Sequence, residues 1–160
     1  MKSTYYSLNS LIVSTFFAFP LAGCGKQFKG NENVILRNSV ETAKIEDKSK
    51  VSITQLKGSK PDAYICVLEP YREKIASGQK YYEEINSLLA RANYKADEGH
   101  WAILQYVEKE VDVAIFQQAK LRLAEGSIEK SVGGRCSPAH DVFLTGNSSA
   151  IQIIFDGDKK

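Results

Sequence analysis

The sequence predicts an α+β domain in which an antiparallel helical hairpin packs on a small antiparallel sheet. Three observations lead there. Tyr71, Ile75, Gly78, Tyr82, Ile85, Leu89 and Ala92 recur in alternating steps of four and three, the spacing of a helical seam. Leu104, Val107, Val111, Ala114, Gln118 and Leu121 form a second stripe, and a short polar stretch separates the two. Such helices become antiparallel neighbours. β-Branched and apolar runs lie before and after this central region, at residues 51–54 and 151–155. A chain of 160 residues with 43% hydrophobic and 25% charged residues is sized and composed for one globular domain, which excludes wholesale disorder. Lys plus Arg (21) barely exceeds Asp plus Glu (19), so the basic excess of a dedicated nucleic-acid binder is missing and no nucleic-acid partner is expected.

The first element is an address. Residues 1–23 contain Lys2 and no acid, and residues 11–22 are almost continuously apolar, from Leu11 through Phe16, Phe17 and Phe19 to Ala22. A membrane-spanning helix needs roughly 20 such residues. The shorter run reads as the hydrophobic region of a signal peptide behind a weakly basic start. Pro20 and the polar Ser14-Thr15 interruption suit a processed leader better than a buried helix. Leu21-Ala22-Gly23-Cys24 then resembles the bacterial lipobox, in which a small residue precedes a lipid-acceptor cysteine.

The resemblance covers the first 24 residues only, and no family is recognised for the domain behind them. It implies a bacterial lipoprotein cleaved before Cys24, with a diacylglyceryl thioether and an N-acyl chain on that residue. One acyl chain holds a protein marginally, whereas several make the attachment effectively permanent. The partner so implied is the lipid bilayer, through the Cys24 acyl chains. Gly25, rather than Asp, follows the cysteine. In a Gram-negative cell this favours the periplasmic face of the outer membrane, with the inner membrane still open.

Residues 24–33 read as the lipidated cysteine and a polar, Gly-containing tether, and residues 34–160 as a single periplasmic α+β domain. A nine-residue tether reaches at most ~30 Å, so the domain works close to its membrane. With Cys24 lipidated, Cys66 and Cys136 remain as an even pair in an oxidising compartment, and a disulfide is the expected fate.

Within the domain, residues 34–56 read as strands, with Asp47-Lys48-Ser49-Lys50 as a turn before Val51-Ser52-Ile53-Thr54. Gly58-Ser59-Lys60-Pro61-Asp62 is a breaker. Residues 63–68 fit either a buried strand or a first helical turn. The first helix is expected from Pro70 to about Ala92 and the second from Glu98 or Trp101 to Ala124, ended by Gly126. Residues 142–145 and 151–155 then form a β-hairpin around Gly146-Asn147-Ser148-Ser149.

No group of residues makes a convincing catalytic site. Cys136, Ser137, His140 and Asp141 bring a thiol, a hydroxyl, an imidazole and a carboxylate together. Catalytic triads form across a fold rather than along a Pro-containing loop, and a disulfide would consume the thiol. Three or four well-spaced ligands are needed for zinc, and two histidines with scattered acids do not supply them. Residues 131–135 lack the Lys-Ser/Thr of a phosphate loop. Glu83-Glu84 and residues 108–110 read as solvated helix surface, because adjacent helix positions do not face each other. No cofactor, metal or catalytic residue is assigned. Tyrosine and arginine dominate protein contacts, and Tyr81, Arg91 and Tyr94 are the candidate protein-binding residues.

The expected function is that of a membrane-anchored, protein-binding lipoprotein without enzymatic activity. Its partner would be another periplasmic or envelope protein. An immunity or inhibitor protein that neutralises an envelope-acting toxin or hydrolase is the preferred form. An assembly or exclusion lipoprotein of a secretion or conjugation machine, or a small envelope hydrolase, are the alternatives.

Overall fold

A computed structural model describes residues 28–45, 49–96, 99–117, 123–124, 134–147 and 150–156. Its described elements are β1 (Asn31–Glu32), α1 (Val34–Glu41), β2 (Val51–Ser52), β3 (Tyr64–Leu68), α2 (Tyr82–Arg91), β4 (His100–Val107), β5 (Glu110–Gln117), β6 (Leu123–Ala124), β7 (Arg135–Pro138), β8 (Val142–Asn147) and β9 (Ala150–Phe155). The domain is α+β, and its sheets are mostly antiparallel. The first sheet has the order β1-β5-β4-β3-β7 and the second β2-β8-β9-β6.

The first sheet is covered on both faces. Ile65, Val67, Trp101, Ile103, Ala114 and Phe116 point toward the second sheet, where they meet Val142, Leu144, Ile151, Ile153 and Phe155 together with Leu36 and Val40 of α1. Cys66, Leu68, Ala102, Leu104 and Val113 point the other way and pack under Ile85 and Leu89 of α2. Double coverage explains the largest departure from the sequence reading. The second helix expected from residue 98 or 101 onward is instead the β4–β5 hairpin, with Val107 opposite Glu110. A strand buried on both faces loses its alternation, and all six residues from Trp101 to Tyr106 are buried. The apolar spacing across its turn then imitates a helical stripe. The turn itself is Glu108-Lys109, both at positive φ (50° and 66°). Two-residue hairpin turns of this kind usually announce themselves as Asn-Gly or Asp-Gly.

The first expected helix is present but short. Positive φ at Tyr71 (66°), Gly78 (87°) and Tyr81 (62°) keeps residues 71–81 out of a helix, and α2 begins at Tyr82. Ile75 still fills the core: its N–H donates to Asn86 Oδ1 at 2.9 Å and its carbonyl accepts from Asn86 Nδ2 at 3.3 Å. The expected helical hairpin is therefore one helix followed by a β-hairpin.

The strand expected at residues 34–36 is α1. Asn33 Oδ1 accepts the Leu36 N–H at 2.8 Å, an N-cap that satisfies one of the helix's orphan donors. Leu36 and Val40, one turn apart, bury the inner side. The cap and this pair outweigh the β-propensity of Val34, Ile35 and Val40. Residues 28–33, read from sequence as tether, belong to the fold: Asn31 and Glu32 pair in parallel with Asp112 and Val113, and the Lys29 N–H donates to Ala92 O at 2.8 Å.

Residues 63–68 resolve to a strand. The β8–β9 hairpin matches expectation, with its strands running on to Asn147 and Ala150. Cys66 and Cys136 are disulfide-linked and sit directly opposite each other on β3 and β7, with Cα atoms 4.0 Å apart. The Cys136 N–H points away from β3 and donates to Gln79 Oε1 at 2.9 Å. Closing this 70-residue separation contributes about 4 kcal/mol on the chain-entropy account. Among the described residues no helix is long and apolar enough to cross a membrane. Cys24 and the leader lie outside the described residues, as do residues 125–133 with the expected stop at Gly126.

Candidate functional site: a tyrosine-lined cleft

Pairing of β3 with β4 sets Tyr64 directly opposite Tyr106. Both are on the face of the first sheet that α2 covers, near the start of that helix. Tyr81 precedes α2 in a left-handed conformation and has no side-chain cap bond. This backbone geometry brings its ring against the other two. Its centroid is 5.5 Å from Tyr64, edge-on at 89°, and 5.1 Å from Tyr106, tilted at 40°. A left-handed tyrosine is strained and persists only where its surroundings hold it; the ring contacts supply that hold.

Lys80 caps the cluster from the solvent side, with Nζ 4.7 Å from the Tyr81 centroid and 5.8 Å from that of Tyr64. Both distances fall within cation–π range. The Lys80 ammonium is held above the usual lysine range, first by its hydrogen bond with Tyr81 and then by attraction to the Tyr81 oxygen. Tyr106 is the buried member. Burial pushes its phenol up to about 12, and a hydrogen bond to the Glu84 carboxylate adds to the shift. The cluster thus grades from a fixed, protonated Tyr106 inside to a Tyr81 ring that is 41% exposed.

These rings form one wall of a cleft of about 370 Å³, also lined by Pro61, Asp62, Val107, Glu108, Pro138 and His140. Rigid aromatic faces with a polar edge offer large contact area at low conformational cost, flanked here by one cation and two carboxylates. Residues 69–75 frame a wider depression of about 620 Å³, but one continuous loop forms it, whereas the tyrosine cleft draws on several converging elements.

The structure separates the sequence candidates. Tyr81 lies in the cleft. Arg91 is exposed at the far end of α2, ten residues on, roughly 15 Å along the helix. Tyr94 is buried, 4% exposed, with its ring edge-on to Phe28 at 6.1 Å. The three do not share a surface. Tyr64 and Tyr106 were missed because they belong to strands, one left ambiguous and one read as helix.

Cys136 has no free thiol. His140 is exposed, with Nε2 3.6 Å from Asp141 Oδ2. Gly134, in the Gly-Gly stretch that lacks the marks of a phosphate loop, forms a structural turn: its N–H donates to Val67 O and its carbonyl accepts from Ala76 N. No cluster of three or more potential metal ligands occurs among the described residues. Comparison with protein-family models, curated proteins and solved structures finds no match to this chain.

Proposed function

We propose that this chain is an envelope lipoprotein, anchored through Cys24, whose folded domain binds another protein through the tyrosine cleft. The observation that carries the reading is the Tyr64–Tyr81–Tyr106 cluster under Lys80. A large, preorganised and partly exposed aromatic surface matches the residue types that dominate protein contacts. Within that reading, an immunity or inhibitor role is preferred. The lipobox-like leader would hold such a blocker at high effective concentration beside the membrane it protects, and a rigid, disulfide-linked domain suits obstruction better than turnover.

The test uses the full-length protein purified from cell envelopes and carrying a photo-crosslinker at Lys80. Wild-type protein should crosslink one discrete envelope protein, and Tyr81→Ala should reduce that product at least about tenfold, the loss of one interface hot spot. Crosslinking unchanged by Tyr81→Ala would remove the Tyr81 ring from the contact, and no discrete product from Lys80 would remove the cleft. Cys24→Ala should abolish palmitate labelling; undiminished label would overturn the anchor.

A further inference from the structure

We propose that the face formed by Phe28, the C-terminal end of α2 and the β4–β5 turn docks on an anionic lipid surface, so that the domain lies on its bilayer in one orientation. This rests on the anchor reading above. Phe28 follows Cys24 by four residues, and four residues span at most ~14 Å. Phe28 is itself held in place, with its ring against Tyr94 and the next N–H bonded to Ala92 O. A chain acylated at Cys24 would therefore bring its lipid to this face.

The same face carries a cleft of about 340 Å³ with Leu88, Val111 and Val113 among its apolar lining and Lys29, Arg91 and Lys109 at its edge. All three cations are exposed, and none pairs with an acid among the described residues. Elsewhere Arg37, Lys50, Lys60, Arg72 and Lys95 each hold a carboxylate, whereas Lys44, Lys57 and Lys74 are exposed without one among the described residues. Glu110 is the one acid lining this cleft. Unpaired cations on long stems, gathered where the acylated segment joins the fold, complement phosphate headgroups. An acidic protein could use the same charges, but the short span to Cys24 favours the bilayer. Docking would also place the tyrosine cleft beside the membrane, because Lys109 lines the basic cleft and its neighbour Glu108 lines the tyrosine cleft.

The experiment reconstitutes the full-length acylated protein in vesicles of phosphatidylcholine, alone or mixed with phosphatidylglycerol. Lysine acylation by a water-soluble reagent is then read by mass spectrometry. In the anionic vesicles, labelling of Lys29 and Lys109 relative to Lys50, which pairs with Asp156 beside the second sheet, should fall at least about fivefold, the factor one lysine near an anionic surface supplies. High salt should restore labelling, and Arg91→Glu should weaken protection at both lysines. Equal labelling in the two lipids overturns the proposal, and so does equal protection in phosphatidylcholine alone. Protection that appears only when envelope proteins are added assigns the face to an acidic protein instead. Intact mass separates the two readings: protein without acyl chains overturns the anchor, whereas acylated protein with unprotected lysines overturns only the docking.

Discussion

Gln105 and Gly58 are joined by a partly buried hydrogen bond: Gln105 Nε2 donates to the Gly58 carbonyl at 2.8 Å. The other end of the same amide, Oε1, accepts the Lys60 N–H at 2.8 Å. Gln105 is fully buried on β4, on the face toward the second sheet. Asn33, the N-cap of α1, also donates to Gly58 O, at 2.9 Å. One carbonyl thus ties the start of α1, the loop before β3 and the central strand together. Gly58 can serve because it sits at φ +81°, and a Cβ there would lie 2.6 Å from the Leu36 backbone nitrogen.

Replacing Gln105 by Leu should therefore destabilise the domain although it makes the core more apolar. Gly58 O keeps its bond from Asn33, but the Lys60 N–H loses its partner. The expected cost is about 1 kcal/mol, the net worth of such a hydrogen bond, since this bond is partly buried. Urea unfolding of the two proteins measures it, and equal midpoints would show that the loop finds replacement partners.

The β4–β5 turn makes the opposite prediction. Glu108 and Lys109 both hold positive φ, which L-residues adopt at a cost. Glu108→Asn with Lys109→Gly supplies the residues this turn favours and should stabilise the domain by about 1 kcal/mol after the added flexibility of Gly in the unfolded chain is subtracted. Thermal unfolding of the double variant checks this; a lower midpoint would mean that the Glu108 and Lys109 side chains contribute more than the turn strain costs.

That turn also marks the limit of what was legible. The β8–β9 hairpin could be read because one face is buried and the other half-exposed, which leaves Val142, Leu144, Ile151, Ile153 and Phe155 at alternate positions. The Cys66–Cys136 pairing followed from parity and compartment. Ile85 and Leu89 were placed correctly as a helix seam. β4 could not be read by period, since residues packed on both faces carry no period-two signal, and Glu-Lys is a poor turn signature. Its signal was length instead: an eight-residue, mostly apolar run bounded by Glu108-Lys109-Glu110, short for a globular helix. Tyr64 and Tyr106 were hidden with their strands, while Tyr81 was singled out by residue type without its left-handed backbone being foreseeable.

Tyr106 gives the site a pH signature. Its phenol titrates higher in the fold, near 12, than in the unfolded chain, near 10. The folded state therefore holds this proton more tightly. The associated stability is fully present below pH 10 and is lost as pH climbs through 12. Tyr82 is also shifted upward, by its hydrogen bond with Glu83, so the test is the component that depends on Tyr106: Tyr106→Phe should remove a late-titrating part of the tyrosinate absorbance and flatten the fall in stability over that window. A titration in which every tyrosine ionises near pH 10, with no component that Tyr106→Phe removes, would contradict the burial of this hydroxyl.

The three sequence candidates make a last, linked prediction, because the structure places them in three different situations. Tyr94→Ala empties a buried site beside Phe28, and should cost about 3–5 kcal/mol, as other aromatic truncations in cores do. Any loss of binding in that variant would follow from unfolding. Arg91→Ala removes an exposed cation with no acidic partner among the described residues, and stability should stay within about 0.5 kcal/mol. Tyr81→Ala is the decisive member. It leaves Tyr64 and Tyr106 in place and removes the exposed ring that closes the cluster, so the fold should persist while partner crosslinking at Lys80 falls. Circular dichroism melts and crosslinking yields on the same three preparations separate these outcomes. A Tyr94→Ala protein that melts like wild type would contradict the packing described here. A Tyr81→Ala protein that folds and still captures its partner in full would show that the exposed Tyr81 ring is not what the partner holds.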